Sequence, residues 1–220
     1  MLMASVFQSL CAACGGVCDF NDILCESCSA SIRKIDARCT NCGHPLNINA
    51  AFCGHCADQQ IDHYYADYIF EGAARKMILE VKYAWRLRGV SQIGRLCGFF
   101  RVDFSLYDTA CVVPSHFLRN FVRYVHPVSL IKKALAKNIK FENLLRRTRN
   151  TEFQSKLSRR ERARNIKGVF ETKGGLKGKK IILIDDIITT GSTLREAAKA
   201  LKKAGADRVD VYALFARRPA

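Results

Sequence analysis

From about Tyr64 onward, the apolar residues of the chain alternate between two rhythms. Tyr64–Phe70 is aromatic and β-prone, and Ala73–Tyr83 then places Met77, Ile78 and Val81 at helical spacing. Val90–Phe100 reads as a second helix, Thr109–Pro114 as a short buried strand and His126–Lys137 as a further helix. Val169–Glu171 suggests an edge strand. Lys180–Ile184 is a basic lead-in to a continuous apolar run, the pattern of a central parallel strand covered on both faces. Leu194–Ala204 is helical with Gly205 in the stop position, and Arg208–Phe215 closes the series with another apolar strand. Strands alternating with helices predict an α/β fold built on a parallel sheet.

The first sixty residues follow neither rhythm. Their pattern is set by cysteine pairs: Cys11/Cys14, Cys25/Cys28, Cys39/Cys42 and Cys53/Cys56, each a C-x2-C unit. Ten residues separate the first two units and ten the last two, so one arrangement occurs twice, offset by 28 residues. Two residues between cysteines allow a tight turn that aims both thiolates, and nearby backbone N–H groups, at one ion. The ten-residue arm returns the chain as a short hairpin to complete four-thiolate coordination. This predicts two structural Zn2+ sites whose metal supplies folding energy that a segment poor in large apolar groups lacks. Disulfides, or one zinc site beside a degenerate repeat, are the competing readings. Cys18 falls outside the register as a spare thiol, and Cys97 and Cys111 sit in apolar settings that suit core packing. His44 and His55 lie beside ligand cysteines and could substitute for them, although the Cys53-Gly-His-Cys56 context reads as an exposed loop.

Composition sharpens this division. With 49% hydrophobic residues in 220, a sizeable core can be buried. Lys and Arg number 36 against 20 Asp and Glu, a formal charge of +16. Residues 1–60 hold Arg33, Lys34 and Arg38 against Asp19, Asp22, Glu26, Asp36 and Asp58, so the whole positive excess falls in residues 61–220. From Lys132 to Lys180 there are 17 Lys and Arg against four Glu, with Phe141, Phe153 and Phe170 interleaved. Such a surface suits a polyanion, most often nucleic acid. The ribbons are slightly acidic, which fits docking better than gripping phosphates. No stretch has the length of a membrane span, and Met1–Leu10 lacks a charged leader region. The expectation is a cytoplasmic protein without a membrane partner, its clustered cysteines holding metal rather than disulfides.

The stretch Ile181-Ile-Leu-Ile-Asp185-Asp186-Ile-Ile-Thr189-Thr190-Gly191-Ser192-Thr193-Leu194 carries the chemistry. A buried strand leads into two carboxylates, a turn rich in hydroxyls, one glycine and a helix. Ligands of open α/β sheets bind at the carboxyl ends of strands. The helix start offers N–H groups to an anion, and Gly191 permits close approach. Thr189, Thr190, Ser192 and Thr193 add hydroxyl donors for phosphate oxygens. Adjacent carboxylates would repel a bare phosphate but suit the vicinal hydroxyls of a sugar or a hydrated Mg2+. The G-x-x-x-x-G-K-[ST] pattern of nucleotide-triphosphate loops is absent.

This string resembles the phosphoribosyl pyrophosphate (PRPP) motif of type I phosphoribosyltransferases. The resemblance implies that Asp185 and Asp186 contact ribose hydroxyls as the catalytic carboxylates. Gly191 and the residues from Thr189 to Thr193 would wrap the 5-phosphate of PRPP or another phosphorylated ribose ligand. It further implies Mg2+-dependent displacement of pyrophosphate through an oxocarbenium-like state. Lys82-Tyr83, at a helix end, resembles the first pyrophosphate-contacting loop of that family.

The double ribbon narrows the resemblance to the ComF (GntX-like) family, linked to natural transformation. So does Leu145-Arg-Arg-Thr-Arg149, followed by Thr151, Gln154, Leu157-Ser-Arg159, Glu161-Arg162, Asn165 and Val169-Phe170. This implies action on incoming single-stranded DNA in the cytoplasm, alongside the translocation helicase and a recombination mediator. The family's V-P-x-x-x-x-R-x-x-x-R-G-F-N-Q segment is only partly present. Val113-Pro114, Arg119 and Arg123 match, but Tyr124-Val125-His126-Pro127 replaces its end, on the pyrophosphate side of the site. A DNA surface would draw on Arg119, Arg123, Arg146, Arg147, Arg149, Arg159 and Arg160. The expected organisation is a double zinc ribbon over 1–60 and a phosphoribosyltransferase-like domain over 61–220.

Overall fold

The computed structural model describes residues 8–57, 60–83, 90–97, 102–114, 126–148 and 166–218. Four strands form one parallel sheet: β3 (His63–Ile69), β4 (Thr109–Val112), β7 (Lys180–Ile188) and β8 (Arg208–Ala216), in the order β3-β8-β7-β4. Two antiparallel strand pairs lie outside it, β1 (Gln8–Leu10) with β2 (Val17–Asp19) and β5 (Leu145–Arg147) with β6 (Phe170–Thr172). The strand expected at Val169–Glu171 is therefore β6. It pairs with a basic segment that the apolar pattern leaves silent, because Arg146 and Arg147 break its alternation.

The central run behaves as its composition demands. Ile181, Ile182, Leu183 and Ile184 are all fully buried, and they divide by parity between two cores. Ile182 and Ile184 join α2 (Gly72–Tyr83) and α4 (Pro127–Leu135), which bury Met77, Ile78, Val81, Ile131 and Leu135. Ile181 and Leu183 join α5 (Ser192–Lys203), whose Leu194, Ala197, Ala198 and Leu201 recur at one helical face. Among the described residues the helix predicted over Val90–Phe100 is α3 (Val90–Leu96). A short α1 (Glu26–Ala30) lies in the first ribbon. No described helix is long and apolar enough to cross a membrane.

The two ribbons pack on different cores. Cys11, Cys18, Ile23 and Leu24 belong with Met77 and Ile184, whereas Ile35, Cys39, Cys42 and Ile61 belong with Leu183 and Leu194. The connection between them runs along the outer edge of β3. Ile35 N–H donates to Asp67 O and Ile69 N–H to Arg33 O, both at 2.9 Å, with an antiparallel bridge at Lys34 and Tyr68. An edge strand is thereby paired rather than left open. Gly43 makes the second ribbon's approach possible. Its φ is +71°, and a Cβ there would stand 2.3 Å from the Tyr64 carbonyl oxygen.

One buried side chain clamps the first ribbon. Gln92 of α3 accepts from Ile23 N–H at 3.1 Å and Leu24 N–H at 3.0 Å, and donates to Leu24 O at 2.8 Å. Gln92→Ala leaves those buried backbone groups unanswered. It should cost about 2–3 kcal/mol in denaturant unfolding, and a loss under 0.5 kcal/mol would show that the clamp is unimportant.

Candidate phosphate pocket and metal centres

Strand β7 runs four residues past its predicted end, so Asp185 and Asp186 lie within it; Asp185, Ile187 and Ile188 still pair with β8. The chain then bends through Thr189 and Thr190 and turns at Gly191, where φ is +70°, into α5. Asp185, Ile187 and the residues from Thr189 to Leu194 line a pocket of about 60 Å³. The hydroxyls inside it are already organised: Thr190 Oγ1 and Ser192 Oγ are 3.0 Å apart, and Arg195 N–H donates to Gly191 O at 2.8 Å to start the helix. Thr189, Thr190, Gly191, Ser192 and Thr193 thus share one concave loop, as their spacing predicts.

The carboxylates differ in their surroundings. Lys82, in the last turn of α2, reaches Asp186 at 2.5 Å, both side chains being largely shielded from water. Burial, and then the Asp186 charge, pushes the Asp185 carboxyl up to about 7, with Lys82 acting in the opposite direction. The sign follows. A carboxyl with a raised folded pKa binds its proton more tightly folded than unfolded. Its stabilisation is complete below about pH 4, the ordinary Asp range, and fades as pH rises towards 7. Asp185→Asn should therefore flatten the decline of Tm over that window, relative to the parent chain, in scanning calorimetry. Parallel pH profiles for the two proteins would refute the assignment.

The cysteines gather as their spacing requires. Cys11, Cys14, Cys25 and Cys28 form one group and Cys39, Cys42, Cys53 and Cys56 another, sulfurs within each lying no more than 4.8 Å apart. None of the eleven cysteines is in a disulfide, so the disulfide alternative does not hold in this structure. A tetrahedral zinc site with Zn–S bonds of about 2.3 Å has edges of roughly 3.8 Å. The observed separations match: Cys14–Cys25 3.8 Å, Cys39–Cys56 3.4 Å, Cys42–Cys53 3.6 Å and Cys53–Cys56 3.9 Å. Backbone N–H groups of Ala13, Gly16 and Cys53 point at ligand sulfurs at 3.4 Å, the arrangement that stabilises thiolates. The residues fit zinc, in closed sites with no position left for substrate. Cys18, Cys97 and Cys111 are buried outside these groups.

His55 corrects an expectation. It is half-buried rather than exposed, stacked on His44 at 3.7 Å between ring centres. Burial and then the nearby His55 push the His44 imidazole down to about 4. His55 Nδ1 also meets Arg195 Nη1 at 3.4 Å. Sequence reasoning passed over Arg195. The available signal was its place one turn into the helix that the phosphate loop opens, where side chains lean back towards the N-terminus.

Of the candidate DNA-contacting arginines, Arg146 and Arg147 are described, and Arg119, Arg123, Arg149, Arg159 and Arg160 lie outside the described residues. Arg146 is exposed and paired with Glu171 at 2.6 Å, while Arg147 lies over the Phe170 ring at 5.8 Å. Phe170 is buried and Phe141 half-buried beneath Lys132, so neither ring is open to stack a base. The β5–β6 pair rests against α5. The departing segment Tyr124–Pro127 ends in His126 and Pro127, which open α4 with proline in its first turn.

Residues 130–220, less than half of the chain, match the family model for the phosphoribosyl transferase domain. Beyond that domain, the chain is similar along most of its length to proteins named for competence and for DNA utilization. It is 27% identical to Competence protein F of Haemophilus influenzae over 241 aligned positions, covering 96% of this chain and 99% of that one. It is 28% identical to DNA utilization protein YhgH of Escherichia coli (strain K12), covering 87% and 89% respectively. A shorter stretch of 58 residues, 26% of this chain and 18% of the other, is 47% identical to the Ribose-phosphate pyrophosphokinase of Vibrio vulnificus. The resemblance carried by the cysteine repeat and the phosphate loop is the one that these relatives bear out.

Proposed function

We propose that this chain is a competence protein of the ComF type, which binds or processes incoming single-stranded DNA in the cytoplasm and uses a PRPP-type phosphate pocket. The observation that carries this reading is that the pocket and the arginine-bearing β5–β6 pair share one helix. Strands β5 and β6, with Arg146 and Arg147, rest on α5, whose first turn forms the phosphate loop. DNA phosphates on these strands would lie on the element that shapes the pocket. The near end-to-end similarity to Competence protein F supports the cellular setting.

The test is titration of a labelled single-stranded oligonucleotide at several salt concentrations, with and without Mg2+-PRPP. Affinity should fall with salt by a log–log slope of roughly −0.7 per phosphate contact, and PRPP should alter it. Arg146→Glu with Arg149→Glu should reduce the slope by about 1.4, on the same per-contact scaling. Arg147 is left intact because it packs on Phe170. Absence of binding at low salt would end the DNA reading.

The Lys82–Asp186 pair favours a second reading, a Mg2+-dependent phosphoribosyltransferase acting on a nucleobase-like acceptor. A cation beside the ribose carboxylates suits the charge that develops on departing pyrophosphate. Pyrophosphate release that depends on an added acceptor would establish it. Silence across a broad acceptor panel would remove it.

A further inference from the structure

We propose that Arg195 and His55 form a strut through which the second zinc ribbon positions the phosphate loop, so that ligand affinity at the loop depends on that ribbon and not on the first. This rests on the reading of the loop as a phosphate site.

The strut is continuous. His55 stands between the ligand cysteines Cys53 and Cys56, and its ring stacks on His44, two residues beyond Cys42. Tyr64 of β3 closes the cluster edge-on to both rings, at 5.1 and 5.9 Å. His55 Nδ1 lies 3.4 Å from Arg195 Nη1, and Arg195 Nη2 donates to Ser192 Oγ at 3.3 Å. Ser192 Oγ is in turn 3.0 Å from Thr190 Oγ1. Two hydroxyls of the phosphate loop are therefore held, through one guanidinium, to a ring fixed inside a metal knuckle. Arg195 does not line the pocket; it stands behind the turn, and a Cβ on Gly191 would sit 3.0 Å from its Nη1. Its role is to position.

Charge points the same way. The first turn of α5 contains no acidic residue. A guanidinium at the positive end of a helix is unfavourable by itself and becomes favourable when an anion binds there. Arg195 thus adds to the field that a phosphate would meet, while Ser192 and Thr190 supply oriented hydroxyls.

The internal repeat offers a natural comparison. At the 28-residue offset, His44 and His55 correspond to Gly16 and Ser27, so the first ribbon has neither ring. That ribbon packs on the other core, with α2 and Met77. The histidines occur only in the copy that meets α5. The two copies would hold metal with the same cysteine spacing and differ where one of them meets α5.

The experiment uses the full zinc-loaded chain and ribose 5-phosphate as probe, with affinity read by calorimetry and zinc content measured for every variant. Arg195→Ala should weaken ribose 5-phosphate about tenfold, because it removes both the cation's field at the helix start and the hold on Ser192, while two zinc ions per chain are retained. Arg195→Lys should recover part of the loss, since the charge remains. His55→Ala should weaken binding by a smaller factor, and in combination with Arg195→Ala should add little, as residues acting through one path do. Reciprocity supplies a readout that a purely structural role would not move: saturating ribose 5-phosphate should raise the equilibrium affinity for one of the two zinc ions, read as the chelator concentration needed to remove it, and leave the other unchanged. If the parent chain does not bind ribose 5-phosphate at all, the phosphate-site reading fails and the strut with it. If the parent binds while Arg195→Ala binds equally well, or the probe protects both zinc ions or neither, the strut alone is overturned.

Discussion

Cys42→Ser should cost the chain far more than one small ribbon. Cys39 and Cys42 are buried in the same core as Leu183, Val211 and Leu194, and Tyr64 N–H donates to Cys42 O at 2.8 Å. The ribbon is thus one wall of the α/β body. Structural zinc contributes about 10–16 kcal/mol in isolated fingers, whereas a whole domain is stable by about 5–15 kcal/mol. Even a fraction of the metal's contribution decides whether this face stays closed. At about 2–4 °C per kcal/mol for a chain of this size, the expected loss is more than 10 °C in Tm, or failure to accumulate as folded protein. Metal analysis of the parent chain should return two zinc ions, and Cys42→Ser at most one. A variant that keeps its Tm within about 3 °C of the parent would show that the ribbon is held by packing alone.

The second large effect is expected at the carboxylates. Measured at pH 8, above the raised pKa of Asp185, Asp185→Asn combined with Asp186→Asn preserves shape, removes both negative charges and withdraws the partner of Lys82. Hydrogen bonds from sugar hydroxyls to ionised carboxylates contribute about 1.5–3 kcal/mol each. Losing two predicts a fall in Mg2+-PRPP affinity of roughly 10²–10⁴-fold. Inorganic phosphate, which uses only the loop, should bind nearly as before. Calorimetry with both ligands separates the cases. PRPP binding within tenfold of the parent would mean that the carboxylates do not read the ribose.

How much could be read in advance depended on whether the deciding forces were local. Ile181–Ile184 announced a doubly covered strand because both of its faces need apolar residues, and Leu194, Ala197, Ala198 and Leu201 announced a helix because one face does. The eight ligand cysteines were legible because metal geometry imposes their spacing. The end of β7 was misplaced because aspartates signal a turn in isolation, while here pairing with Ala213, Phe215 and Ala216 keeps the strand going. Strand β5 was missed because a sequence of two arginines carries no alternation. His55 and Arg195 lie 140 positions apart, and nothing local to either reveals a contact that only the folded sheet creates.

The position of β8 has a consequence for how the chain is made. It follows every other strand of the sheet in chain order, yet it lies between β3 and β7, with His63 facing Asp210 and Lys180 facing Arg208. During synthesis β3 emerges early and must wait for its neighbour until almost everything else is out. Each ribbon, by contrast, closes over a short span and can fold as soon as zinc meets its four thiolates. The nascent chain should therefore carry finished metal knuckles ahead of an unfinished sheet, and the last strand must be threaded into a gap rather than added at an edge. Such late, long-range pairing is slow and leaves apolar strands uncovered in the interval. Zinc supply during translation would then govern yield as well as stability.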